Sequence, residues 1–119
     1  MGNELKSMHN HFIVCGAGRM GRMVCQHLAE HNVPFVAIDR DEEAIDYCQQ
    51  QNWTLIVGDA TEDSALKEAG IQHAHEIASV LSTDADNLYV VISSRLLKEN
   101  IRIIARANDD KAAEKMQRA

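Results

Sequence analysis

His11-Phe12-Ile13-Val14-Cys15-Gly16-Ala17-Gly18-Arg19-Met20-Gly21 is the stretch on which the reading of this chain turns. An apolar run passes directly into G-x-G-x-x-G, and helix-forming residues follow. The spacing predicts a strand over 12–15, a tight glycine turn, and a helix opening near Gly18. Free N–H groups and the helix dipole at such a junction attract phosphate. Gly16 permits the turn, Gly18 leaves room for the backbone to approach a pyrophosphate, and Gly21 lets the helix pack close to the sheet. Ala17 and Met20 belong to the same loop and first turn. Arg19 is open to two readings: it reaches a terminal phosphate, or it faces solvent.

The next apolar run, Phe35-Val36-Ala37-Ile38, closes with Asp39. That is the distance at which a dinucleotide fingerprint places its acidic residue. A carboxylate there accepts hydrogen bonds from ribose hydroxyls and repels a 2′-phosphate. It favours NAD, or another unphosphorylated adenosine ribose, over NADP. Arg40 follows directly and keeps a 2′-phosphate open. The plainer reading of Asp39 is a solvated residue at a strand end.

The rest of the chain alternates in the same way. The first helix runs to about His31, with Met20, Val24 and Leu28 at helical spacing and Asn32 as its stop. A helix is expected over Glu42–Gln50, opening in acidic residues that suit a helix N-terminus. A strand over Thr54–Val57 and a short helix over Asp63–Ala69 follow, with Gly70 as C-cap. Next come a strand over Ile77–Leu81 and a helix from Thr83 to about Glu99, closed by Asn100. In that helix Leu88, Val91, Ile92, Arg95 and Leu96 recur at helical spacing. A strand over Arg102–Ala107 and a helix from Asp109 or Asp110 complete the chain.

The strands read as continuous apolar runs, which implies burial on both faces. The expectation is a single α/β domain over residues 11–119. It is a Rossmann-like, doubly wound parallel sheet of order 3-2-1-4-5, with a crevice at the carboxyl ends of strands 1 and 4. Residues 1–10 are polar and aperiodic and are expected to form a linker from an upstream segment. The stop inside the last helix suggests a fragment of something longer.

Further residues are expected at that crevice. Gly58-Asp59-Ala60-Thr61 follows strand 3, near an adenine and its ribose, although Asp59 is also placed to cap the next helix. Ser82, Thr83 and Asp84 follow strand 4, and Arg106 lies at the end of strand 5. These are positioned for the second half of a dinucleotide or a phosphate, or serve only the loops. The histidines form H-x-H at His9/His11 and His73/His75 and an i, i+4 pair at His27/His31, and the last pair is spaced to share a helix face and hold a metal. No third ligand is evident, so exposed, non-ligand histidines are expected. No nucleophile stands beside a base.

The composition narrows the class. With 119 residues, 45% hydrophobic, the chain supports one core. No apolar stretch is long enough to span a membrane, and no secretory signal pattern opens the chain. A net charge of -6 with no basic stripe argues against nucleic acid as a partner. Three scattered cysteines, Cys15, Cys25 and Cys48, fit free thiols in a reducing compartment. Cys15 reads as a small apolar residue of a buried strand.

These runs resemble the N-terminal lobe of the RCK (or KTN) domain, the cytosolic regulator of potassium channels and transporters. The likeness covers His11 to Ala119. It rests on Val14-Cys15-Gly16-Ala17-Gly18-Arg19-Met20-Gly21, Val36-Ala37-Ile38-Asp39-Arg40-Asp41 and Val57-Gly58-Asp59-Ala60-Thr61. Leu66-Lys67-Glu68-Ala69-Gly70-Ile71, Thr83-Asp84-Ala85-Asp86-Asn87 and Ile103-Ile104-Ala105-Arg106-Ala107 extend it. The resemblance implies nucleotide contacts at Gly16, Gly18, Arg19, Gly21, Asp39, Asp59, Ala60, Thr61 and Arg106. It implies NAD(H) as ligand, with AMP, ADP or ATP as alternatives. It implies a regulator and not an enzyme: a homo-oligomer, paired and built into a ring at the cytoplasmic side of the membrane, acting on a channel pore without itself entering the bilayer. The family's C-terminal lobe and the pore are not part of the sequence. Two other readings stand beside it: the coenzyme domain of an NAD-dependent oxidoreductase, and an assembly module that has lost its ligand.

Overall fold

The computed structural model describes residues 8–119, so most of the expected linker lies outside the described residues. The chain alternates β1 (Phe12–Cys15), α1 (Arg19–Glu30), β2 (Phe35–Asp39), α2 (Glu42–Gln50), β3 (Leu55–Val57) and α3 (Asp63–Glu68). A short 3-10 turn (Ile71–His73) leads to β4 (Glu76–Ser79), α4 (Asp84–Leu97), β5 (Arg102–Ala105) and α5 (Asp110–Arg118). The five strands form one parallel sheet of order β3-β2-β1-β4-β5, as expected. Phe12 pairs with Phe35 on one side and with Glu76 on the other, which puts the ends of β1, β2 and β4 in line.

Alternation along β1 and β2 feeds two apolar layers. Ile13, Cys15, Val36 and Ile38 pack with Leu66, Ile71, Ile77 and Val90 on one face. Val14 and Ala37 pack with Cys25, Leu28, Cys48 and Leu55 on the other. Burying each Ile or Leu contributes about 1.5–3 kcal/mol. All three cysteines are free and buried in these layers. Burial pushes the Cys15 and Cys25 thiols up to about 12, which keeps them protonated and inert.

Helix ends follow the local chemistry. Asp41 caps α2 by accepting the Ala44 amide, and Glu42 and Glu43 fill its first turn. Asn32, just past α1, takes φ 56°, and Gly70, past α3, takes φ +78°. Thr83 caps α4 through the Asp86 amide.

Four expectations require correction. β4 is Glu76–Ser79 rather than 77–81, because the amide of Leu81 is taken by the Asn87 side chain and leaves the ladder. β5 likewise ends at Ala105, since Asn87 also takes the Arg106 carbonyl. α4 ends at Leu97, ahead of Asn100, where Lys98 turns extended and its ammonium donates to the Ala74 carbonyl. Burial on both faces holds for β1, β2 and β4 but not at the edges, where Val57 and Ile104 are exposed.

The apolar periodicity of α4 matches its buried face only in part: Val91 is buried, but Ile92 and Leu96 are exposed. Asn87, Val90, Val91 and Ser94 face the sheet, while Tyr89, Ile92 and Leu96 form an exposed apolar stripe. The helix carries two apolar faces, and spacing alone merges them.

Candidate nucleotide site

β1 delivers the chain to Gly16, whose φ of +99° only glycine adopts without strain. A Cβ there would lie 3.0 Å from the Val80 carbonyl oxygen, and one on Gly21 would run into the Gly16 carbonyl. A Cβ on Gly18 would meet nothing within 4 Å, so that side of the loop is open. Gly18 is the N-cap of α1, but no side chain caps the helix and its first turn holds no acid. The positive end of the dipole is left for an outside anion.

The loop is braced from two sides. The Asp39 carboxylate accepts the Ala17 amide at 2.7 Å with Oδ2, and the Arg40 and Asp41 amides at 2.7 and 2.8 Å with Oδ1. Arg22 donates to the Ala17 carbonyl at 3.1 Å and lies 4.3 Å from the centre of the Tyr47 ring.

A cleft of about 380 Å³ opens at the carboxyl ends of the strands. Of the expected residues, Gly16, Gly18, Arg19, Met20, Asp39, Arg40, Asp59, Ala60, Ser82 and Arg106 line it. The structure places four elsewhere. Ala17 and Gly21 are buried beneath the loop, Thr83 caps α4, and Thr61 braces Asp59. Thr61 does so with its hydroxyl at 2.6 Å and its amide at 2.9 Å. Those two bonds, with a smaller contribution from Arg40 at 3.5 Å, hold the Asp59 carboxyl below its usual range. Asp59 does not cap α3: that position belongs to Glu62. Asp84 is likewise structural, accepting the backbone and side-chain amides of Asn108.

Two positioning residues escaped the sequence reading. Arg22 looked like an ordinary helix residue. Asn87 is fully buried: its Oδ1 accepts from Ser79 Oγ and the Leu81 amide, and its Nδ2 donates to the Leu81 and Arg106 carbonyls. It ties the ends of β4 and β5 together, and with them the loops carrying Ser82 and Arg106. Its signals were a polar residue within the apolar pattern of α4 and its place at the end of the Thr83–Asn87 run, neither of which names its partners. Ile38, Val80 and Leu81 add an apolar wall, and Asp86, in the first turn of α4, also lines the cleft.

The histidines divide. His27 and His31 are exposed and stack at 4.3 Å, and His9 stacks on His73 at 4.7 Å. His11, expected to be exposed, is fully buried. Among the described residues no group of three potential ligands is placed to hold a metal ion. No helix of the described residues is long and apolar enough to cross a membrane.

The sequence profile of the TrkA-N domain matches residues 12–119. The chain belongs to the TrkA-N family. It is 38% identical to potassium channel protein 1 of Methanocaldococcus jannaschii over all of its own length, which is 36% of that protein. The TrkA-N domain of the inner membrane protein ybaL from Escherichia coli superposes with a TM-score of 0.88 at 22% identity. That match covers 94% of this chain and 83% of the other, and carries the fold alone. A structure of GsuK bound to ADP superposes with a TM-score of 0.79 at 30% identity, covering 98% of this chain and 30% of that one. This TrkA-N domain spans about a third of the length of the first curated relatives.

Proposed function

We propose that this TrkA-N domain is a cytosolic ligand-sensing module that binds an adenine nucleotide and regulates potassium transport by a pore-forming protein. The observation that carries the reading is the uncapped N-terminus of α1, opening into a cleft whose far wall is the Asp39–Arg40 strand end. The α1 start and Arg19 would hold phosphate. Asp39 would take the ribose, and Arg40, Asp59 and Ala60 would flank the adenosine. Ser82 and Arg106 sit where a second phosphate or nucleoside would end. NAD(H) fills both halves of such a cleft, while AMP, ADP and ATP use the adenosine half. The relatives' names support the potassium assignment, and the ADP-bound GsuK structure supports the ligand class.

A regulatory role suits the lining. Among the described residues its titratable side chains are arginines and aspartates, with no His, Tyr or Lys to move a proton for hydride transfer. Binding does work only if the ligand prefers one of two assembled states. The exposed stripe Tyr89, Ile92 and Leu96 supports a homo-oligomer, a dimer built into a ring, as the body that has those states. In this reading the domain lies on the cytoplasmic side of the membrane, joined to the pore by residues 1–10.

Calorimetric titration with NAD, NADH, NADP, AMP, ADP and ATP at fixed salt tests the proposal. Saturable binding of an adenine nucleotide, with NADP disfavoured, is the expected result. A folded chain that gives no heat with any of them overturns it. Potassium flux through the full-length parent, with and without the bound nucleotide, tests the regulatory half.

A further inference from the structure

The end of the sheet opposite the cleft holds a feature that nucleotide binding does not use. His11 immediately precedes β1 and has no exposed surface. Its Nε2 lies 2.7 Å from the Ala69 carbonyl, an acceptor, so Nε2 carries the hydrogen. Nδ1 is then a bare acceptor, buried and without a partner among the described residues. The ring is tightly enclosed: a Cβ added at Gly70 would lie 3.2 Å from its Cε1.

A second proton can go only to Nδ1. It would create an unsatisfied donor and a buried charge together, each costly in the interior. The groups acting on the ring are basic on every side: His9 from its own segment, His73 from the 3-10 turn, and Lys98 from the end of α4. Glu76, the acid that opens neighbouring β4, is paired with Arg102 at 3.6 Å. Burial first, and those like charges after it, hold the His11 ring below its ordinary 6.5 despite the Ala69 hydrogen bond.

The segment carrying His11 is fastened to the 3-10 turn and its flank by backbone bonds as well as by the His9–His73 ring contact. The Asn10 amide donates to the His73 carbonyl, and the His75 amide donates to the His11 carbonyl, each at 2.8 Å. Asn10 itself sits at φ 56°. We propose that His11 is a proton-operated latch: protonation of its ring frees residues 9–11 from the 3-10 turn and unfastens the start of β1 from the domain. The device responds to mild acid, in the range where imidazole titrates. It is independent of nucleotide occupancy, because the cleft lies at the other end of β1.

Amide hydrogen exchange of the 119-residue chain, read by NMR and corrected for intrinsic exchange chemistry, tests the latch. One proton taken up on opening raises the opening constant by up to about tenfold per pH unit below the ordinary histidine value. That rise is expected at the Asn10 and His75 amides between about pH 6.5 and about pH 5. It is not expected at Gly16 or Gly58, whose amides pair at the cleft end with Ile38 and Asp39. His11→Gln, which keeps a donor for Ala69, should leave these amides protected and nearly independent of pH. The double variant His9→Gln/His73→Gln should keep the pH dependence. Equal pH dependence in His11→Gln, or its loss in the double variant, overturns the latch. Should His11→Gln fail to fold, titration of the His11 ring in the unaltered chain decides. A ring that protonates while both amides stay protected also overturns it.

Discussion

Asp39 Oδ2 accepts the amide of Ala17 at 2.7 Å, across 22 residues of sequence. The residue expected to read the ribose is therefore also a strut of the glycine loop. Oδ1 takes two more amides, from Arg40 and Asp41. A carboxylate offers about four lone-pair sites, so three are occupied before any ligand arrives and about one remains for a ribose hydroxyl. The end of β2 and the glycine loop are one hydrogen-bonded unit.

Asp39→Ala should fail in two ways. The buried Ala17 amide is orphaned, which costs about 1–3 kcal/mol of stability, and adenine-nucleotide affinity falls at least about tenfold, as loss of a charge-assisted bond implies. Asp39→Asn separates the effects: its amide group cannot accept from Ala17 if its oxygen serves Arg40 and Asp41. Denaturant unfolding and calorimetry on both variants check this. Unchanged affinity in a folded Asp39→Ala chain would remove the ribose role.

The three glycines of the loop should respond differently to alanine. Gly21→Ala drives a methyl into the Gly16 carbonyl and should cost about 3 kcal/mol, at the upper end for overpacking. Gly18→Ala meets nothing and sits at φ -76°, so the melting temperature should hold. The added methyl faces the cleft, however, and nucleotide binding should weaken. Thermal melts and titrations run side by side distinguish a folding glycine from a ligand glycine.

The sheet order and the glycine loop were legible because they rest on local signals: apolar runs of strand length, turn glycines and an acid at a fixed distance. Asp39 was legible as a position but not as a strut, since its partner lies on another strand end. The ends of β4 and β5 were misplaced because a buried side chain, Asn87, competes for backbone groups that the apolar pattern would assign to the ladder. The exposed stripe of α4 was merged with its buried face because Ile92 and Leu96 are as apolar as Val91, and only the sheet decides which of them it covers. His11 was read as exposed because H-x-H says nothing of depth.

Asn87 gives that competition a measurable size. Asn87→Leu keeps the branched shape, in a larger side chain, but strands the Leu81 amide, the Ser79 hydroxyl and two carbonyls. A loss of about 3 kcal/mol is expected, more than for a single hydrogen bond. Asn87→Asp retains the acceptor but not the donor, so the Leu81 and Arg106 carbonyls lose their partner while the Leu81 amide keeps its own. The substitution also sets a buried carboxylate against those two carbonyls, so at neutral pH its loss should be at least as large. Urea unfolding of the two variants ranks these contributions, and equal stability of Asn87→Leu and the parent would contradict the role given to this side chain.

Asp59 is a carboxylate of the cleft whose titration the fold displaces. Its carboxyl titrates below the usual 3.8, chiefly through the Thr61 hydroxyl and amide and least through Arg40. A carboxylate depressed on folding contributes stability that is complete above its unfolded value and is lost as pH falls through the folded one. The window is therefore below about pH 4. Thr61→Val removes the leading cause, so Asp59 should titrate closer to 3.8 and contribute less to the acid-side slope. Arg40→Ala should shift it less, because that guanidinium is largely exposed and water screens it. Carbon-detected NMR titration of the Asp59 carboxyl in the three chains gives the order. A larger shift in Arg40→Ala than in Thr61→Val would show that the ion pair, and not the hydroxyl, holds this wall of the cleft.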